Sequence, residues 1–306
     1  MRILLAGASG AIGRPLVQQL GRSGHDVIAI VRSEPAAERA RADGAETVVV
    51  DVLDRDALLR AVEGRHADAV VSELTALAKP PLRHADMRAT NVLRTRGTAN
   101  LLDVAREIGA RRFVTQSMVF GYGYDDLGET PLTEHAPFGI PTGTPFDQHL
   151  EAMAANERLA FEADGIDGVS LRYGLFYGGD AENVAAMLRK RMLPAVRSGG
   201  RLPFVHHDDA AAATVVAIER GEGGRAYNVA DDELVAFGTL VEAIADATRA
   251  PRPWHAPAAL VRALLPYGGA MMARASMRVS TEALRDLGWR PRYPTYREGI
   301  AASVRA

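Results

Sequence analysis

The chain has 306 residues, 47% of them hydrophobic and 24% charged, with a formal net charge of −2 at pH 7. That balance gives no global electrostatic drive toward nucleic acid or an anionic membrane, and no apolar run reaches the roughly 18–20 residues that cross a bilayer. Cysteine is absent, which removes disulfides, thiolate nucleophiles and cysteine-ligated metal sites, and lysine occurs only at Lys79 and Lys190.

The opening segment MRILLAGASG is too short in its apolar part for a signal peptide and reads as a first strand over 2–6. Further short apolar runs predict strands at 26–31, 47–50, 67–71, 112–115 and 169–172. Helical patterns fall between them at 11–22, 35–43, 55–63, 86–108 and 146–163, with Gly24, Gly44, Gly64 and Gly109 at helix stops. Alternation of this kind predicts an α/β architecture, a doubly wound parallel sheet with right-handed crossovers. The stretch 122–144 is rich in Gly, Pro, Thr and acidic residues and reads as a long functional loop. Beyond Tyr173 the pattern is irregular. It predicts a helix at 182–195, an extended piece at 202–205, a helix from 208, a strand at 226–229 and a helix at 240–248, then a Pro-, Arg- and aromatic-rich tail from 251. The expected division is a first domain over 1–175, with 208–230 returning to it, and a smaller interleaved domain over 176–306.

The run Gly7-Ala8-Ser9-Gly10-Ala11-Ile12-Gly13 follows the first strand and opens the first helix. A diphosphate must approach backbone N–H groups there, so side chains have to be small. Gly7 allows the tight turn, Gly10 the close approach and Gly13 the packing of helix on strand. Gly7, Ser9, Gly10, Ala11, Ile12 and Gly13 are therefore the expected diphosphate seat. The second strand ends at Arg32-Ser33, where an acidic residue would bind the 2′-hydroxyl of NAD. A guanidinium and a hydroxyl suit a 2′-phosphate instead, so NADP(H) is favoured over NAD(H). Asp51 either accepts from the adenine amino group, with Val52 against the ring, or caps the next helix. Leu74, Thr75 and Ala76 close the fourth strand, where small residues flank ribose and diphosphate.

With that turn, Asn91-Val92, Gly97-Thr98-Ala99-Asn100-Leu101-Leu102, Arg112-Phe113-Val114, Thr133-Glu134, Leu171-Arg172, Tyr177-Gly178, Phe204 to Asp209, Tyr227-Asn228-Val229 and Leu287-Gly288-Trp289-Arg290-Pro291, the chain resembles the extended and atypical branch of the short-chain dehydrogenase/reductase superfamily, the NAD-dependent epimerase/dehydratase-like proteins. The resemblance implies a Rossmann domain holding a nicotinamide cofactor, a C-terminal substrate domain, and a homodimer through the long fourth and fifth helices. Most members of that family use a Tyr-x-x-x-Lys pair with a serine. Here Thr75 stands four residues before Lys79 and Ala186 four before Lys190, so the pair is absent. Counting back from Glu157, its positions fall on His149 and Met153, and the serine position on Ser117 or Met118.

Candidates to replace the relay are His149, which can act as acid or base near neutral pH, Ser117 at a strand end, and Tyr122 in a glycine-punctuated turn; Tyr124 shares that turn, and Tyr173 ends the sixth strand on the same edge. No metal site is expected. In His206-His207-Asp208-Asp209 consecutive side chains diverge, and Asp208 or Asp209 reads as a helix cap. The leading expectation is a cytoplasmic NADP(H)-dependent oxidoreductase acting on a small carbonyl or alcohol, without nucleic-acid or membrane partners. The alternatives are a non-redox lyase, isomerase, epimerase or cyclase, and a catalytically silent NADP-sensing protein.

Overall fold

The computed structural model describes residues 1–77, 79–179, 181–196 and 199–304. A seven-stranded sheet forms the centre. It contains β1 (Arg2–Ala6), β2 (Asp26–Val31), β3 (Glu46–Val49), β4 (Ala69–Ser72), β5 (Arg112–Met118) and β6 (Asp167–Tyr173), with Arg225–Val229 as the last strand. Their order is (Arg225–Val229)-β6-β5-β4-β1-β2-β3, and every pairing is parallel. This is the doubly wound α/β arrangement that the strand–helix alternation predicts. Because all strands run the same way, their C-terminal ends share one edge, where ligands bind in such sheets.

Both faces of the sheet are covered, which is why its strands read as nearly continuous apolar runs. Ile3, Leu5 and Val71 pack toward α1 (Gly13–Arg22), α2 (Glu34–Ala42) and the helix His207–Arg220. Leu4, Val70 and Phe113 pack toward α3 (Arg55–Val62), α5 (Thr98–Glu107) and α6 (Asp147–Phe161). A third apolar cluster joins Phe120, Tyr124, Phe146 and Met153 to Tyr267 and Ile300 from the tail. Among the described residues no helix is long and apolar enough to cross a membrane.

Several elements differ from the sequence expectation. The fourth strand begins at Ala69, because the Asp68 carboxylate accepts from the Arg2 N–H at the strand mouth (2.7 Å). The expected single helix over 86–108 is a 3₁₀ turn (His84–Met87), α4 (Arg88–Val92), a π turn (Leu93–Gly97) and then α5. The helix expected at 182–195 ends at Arg189, and Ala195–Val196 instead pairs with His255–Ala256. The extended piece at 202–205 is two short strands, Arg201–Leu202 and Phe204–His206, separated at Pro203. The loop after β5 is strapped by the tail: Leu127 N–H donates to the Ser276 carbonyl and Leu132 N–H to the Arg278 carbonyl, both at 2.8 Å.

Candidate active site

The glycine turn joins β1 to α1. Gly7 has φ +100°, and a Cβ there would lie 2.4 Å from the Glu73 carbonyl oxygen. A Cβ on Gly13 would lie 2.2 Å from the Gly7 carbonyl oxygen, so helix and turn touch backbone to backbone. Gly10 N–H donates to the Gly7 carbonyl (2.9 Å) and closes the turn. The first turn of α1 has no capping side chain and no acidic residue. Its amides are therefore left for an external anion. Ser9 and Ala11 are exposed, Gly10 is half-buried, and Ile12 and Gly13 are buried. This cradle fits the diphosphate of a dinucleotide.

The other expected cofactor residues lie along the same edge. Arg32 and Ser33 follow β2 and are exposed, with no side-chain partner among the described residues. Asp51 does not cap α3. Its Oδ1 accepts from Leu53 N–H (2.9 Å), and the cap is Asp54, which accepts from Ala57 N–H. Val52 is buried, and its carbonyl accepts from Asn100 Nδ2 (2.7 Å). After β4, Leu74 and Ala76 are half-buried and Thr75 is exposed. Thr90 Oγ1 fixes this segment by accepting from Ala76 N–H (3.2 Å).

The three catalytic candidates stand in separate settings. His149, in the first turn of α6, is fully buried. Asn91 Nδ2 lies 2.9 Å from its Nδ1 and 3.3 Å from the Gln148 carbonyl, which orients the amide as donor. That fixes the imidazole proton on Nε2, which faces His84 Nδ1 at 3.0 Å. His84 in turn keeps its proton on Nε2. Burial, then His84, then Arg94 push His149 down to about 4, and burial also lowers His84, so both rings are neutral at pH 7. Tyr267 lies edge-on to His149 (5.0 Å) and to His84 (5.7 Å), and Tyr124 stacks on Phe146 at 4.2 Å.

Tyr122 belongs to a different network. Its hydroxyl donates to Asn228 Oδ1 (2.8 Å) and accepts from Arg172 Nη1 (2.9 Å). Arg172 is held by a buried ion pair with Glu157 (2.7 Å). Ser117 lies on β5 in register with Arg172, and its hydroxyl is buried with no partner among the described residues. Thr115, two residues earlier on the same strand face, donates to Asn156 of α6. Met153 is fully buried in the apolar cluster. The His206–Asp209 run is spent on local structure. His206 caps its helix by accepting from Asp208 N–H, which replaces the cap expected of Asp208 or Asp209, and the Asp209 carboxylate accepts from the Arg292 and Tyr293 amides.

Four residues of this region escape sequence reasoning: Glu73, His84, Arg94 and Tyr267. Glu73 is buried beneath the glycine turn, where its Oε1 accepts from Tyr173 (3.0 Å) and Thr214 (3.4 Å) while Oε2 has no partner among the described residues. Desolvation pushes its carboxyl up to about 8 against the hydrogen bonds from Tyr173 and Thr214.

Residues 3–230 match the family described as NAD dependent epimerase/dehydratase. The chain belongs to that family. As a member of the epimerase/dehydratase family it is an NAD(P)-dependent oxidoreductase- or epimerase-like enzyme. A 3-diazoavenalumate denitrifying reductase from a Streptomyces species is 38% identical, covering 98% of this chain and 99% of that protein. The 4-hydroxy-2-methyl-3-oxo-4-farnesyl-3,4-dihydroquinoline-1-oxide ketoreductase of Stigmatella aurantiaca is 29% identical over 79% of this chain and 72% of its own. The crystal structure of Thermus thermophilus UDP-glucose 4-epimerase in complex with NAD superposes with a TM-score of 0.79 at 24% identity, covering 100% of this chain and 98% of that one. At that identity the likeness speaks for the fold.

Proposed function

We propose that the chain is an NADP(H)-dependent reductase of a small organic substrate, working without the tyrosine–lysine proton relay. One observation carries the reading: the dinucleotide cradle is intact while the relay positions hold a neutral, doubly hydrogen-bonded histidine and a buried methionine. The backbone amides of 9–13 would hold the diphosphate, and Arg32 with Ser33 a 2′-phosphate. Asp51, Val52, Leu74, Thr75 and Ala76 would flank the adenine and ribose. Bound nicotinamide supplies a hydride.

The chain's own residues supply little acidity. His149 positions His84, whose Nε2–H would donate to a substrate atom and, being on a neutral ring, would polarise it rather than protonate it. Tyr122 and Ser117 would be walls near the substrate. Such a site suits an acceptor that needs a hydride but no proton. The Streptomyces relative is named for a diazo acid and its denitrification. An arenediazonium ion plus hydride gives arene and dinitrogen, balanced in atoms and charge with no proton consumed. A ketone, by contrast, needs both hydride and proton. We therefore place a diazo-activated acceptor ahead of a plain carbonyl.

The test is to incubate the protein with NADPH and, separately, aryl diazo acids and plain ketones, following the near-ultraviolet absorbance of the reduced cofactor. Consumption with the diazo compounds and release of dinitrogen is expected. NADPH should bind at least about tenfold more tightly than NADH, roughly 1.4 kcal/mol, with Arg32→Ala narrowing that gap. Conversion without net NADPH loss would make the enzyme a non-redox lyase or isomerase, and cofactor binding without turnover a sensor. Failure to bind either dinucleotide would overturn the reading.

A further inference from the structure

Glu73 stands where strand alternation puts an apolar side chain. Ala69 and Val71 of β4 face the core shared with α1, and Glu73, two residues on, continues that face. Its N–H donates to the Ala6 carbonyl (2.9 Å), and a Cβ on Gly7 would lie 3.2 Å from the Glu73 Cβ. The carboxyl is thus held under the turn whose amides are left for an external anion, and the residue is only 4% exposed.

The groups around it are short of protons. Tyr173 and Thr214 are its only side-chain partners among the described residues, and neither is a cation. Their hydroxyls lie 2.7 Å from each other, and Thr214 also donates to the Ala210 carbonyl (2.9 Å). Two hydroxyl protons are therefore divided among the carboxyl, the Thr214 oxygen and a backbone carbonyl, and Oε2 receives none. A carboxylate has about four acceptor sites, so a buried one with so few donors is costly, whereas the neutral acid needs fewer and can itself donate.

No charge from the packed elements offsets it. The glycine turn has no titratable group. β1 and β5 carry Arg2 and Arg112 at their far ends. β6 brings the Tyr173 phenol, while its Arg172 is paired with Glu157. α1 brings Arg14, which is exposed and paired with Asp43. The helix His207–Arg220 keeps its charged residues at its two ends, His207, Asp208 and Asp209 at one and Glu219 and Arg220 at the other. The upward push of burial on the Glu73 carboxyl agrees with this setting.

We propose that Glu73 links dinucleotide binding to a proton: the cradle grips a diphosphate while this carboxyl is neutral and loses affinity when it ionises, because the new charge lies under the bound anion with no counter-ion between them. The linkage is reciprocal. A bound diphosphate holds the proton on Glu73, so binding at alkaline pH takes up protons from solvent. This rests on the dinucleotide reading above and gives that site an alkaline limit.

The probe is NADPH, titrated by calorimetry from pH 7 to pH 9.5, above the range in which a phosphate monoester titrates, about pH 6. The wild-type dissociation constant should rise at least about fivefold across that range. At pH 8.5 binding should take up a fraction of a proton, read from the enthalpy in buffers of different ionisation enthalpy. Glu73→Gln should hold its affinity within about twofold from pH 7 to pH 9.5 and take up none. A wild-type affinity that does not change with pH would overturn the proposal and leave the dinucleotide reading standing. A Glu73→Gln variant that keeps the pH dependence or the proton uptake would also overturn it, because another group would then carry the proton. Should Glu73→Gln fail to fold, proton uptake by wild type decides alone. No binding of NADPH at any pH would remove both the dinucleotide reading and the linkage.

Discussion

Glu73→Gln tests the electrostatics under the cofactor turn. Glu73 is buried, and its folded-state pKa of about 8 lies above the ordinary value of 4.5. The folded chain therefore keeps a proton that the unfolded chain releases. The resulting stability is fully present below about pH 4.5 and is lost as the pH rises toward 8. Between pH 5 and pH 8 the loss from this one group is about 3.5 kcal/mol, at roughly 1.4 kcal/mol per pH unit, tapering near the folded pKa. Glutamine retains an oxygen to accept from Tyr173 and Thr214 but does not titrate. Urea unfolding of wild type and variant at both pH values should show the variant gaining about 3.5 kcal/mol relative to wild type between pH 5 and pH 8. His149, His206 and Asp231 also shift in this window, but they are common to both proteins and cancel in the difference. A change under about 1 kcal/mol would mean that Glu73 is ionised in the folded protein, refuting the assignment.

Two other substitutions separate structural from ligand roles in the same region. A Cβ at Gly10 would come only to 3.2 Å from the Gly7 carbonyl, whereas one at Gly13 would reach 2.2 Å. Gly10→Ala should therefore unfold within about 1 kcal/mol of wild type while losing at least tenfold in NADPH affinity, and Gly13→Ala should lose about 1–3 kcal/mol or more of stability. Similar denaturation curves for the two variants would count against this packing. Restoring the family lysine should not restore its chemistry. Met153 is fully buried among apolar side chains, so Met153→Lys should cost about 3 kcal/mol or more and lower the thermal midpoint, even when combined with His149→Tyr. A double variant as stable as wild type would show that an ammonium group reaches solvent there.

The sheet was legible because each strand is a short apolar run between helical patterns, and parallel strands covered on both faces leave that trace. The glycine turn was legible because its requirement is local: two positions where a side chain has no room, Gly7 and Gly13, and one between them, Gly10, that a ligand must approach. The site was less so. His84 and His149 are 65 residues apart, and no spacing rule joins two rings brought together by a turn after β4 and a helix after β5. The stretch 86–108 reads as one helix because an amphipathic period barely registers a single extra residue, so the π turn over Leu93–Gly97 left no signal. Glu73 follows an apolar strand and resembles an ordinary exposed carboxylate at a loop start. Only the fold places it under Gly7. The expected links of Asp51 to α3 and of Asp208 or Asp209 to the next helix failed because the residue just before each helix takes the cap: Asp54 precedes Arg55 while Asp51 lies three residues further out, and His206 precedes His207 while Asp208 and Asp209 already lie inside the first turn.

The strapping of the loop after β5 by Ser276 and Arg278, and the arrival of Tyr267 from nearby in the chain, set an order of maturation. The seven strands and the glycine cradle are complete by Val229, so the machinery for gripping a nucleotide exists before the segment that shapes the rest has been synthesised. The last fifth of the polypeptide thus closes over side chains that the first half has already set in place.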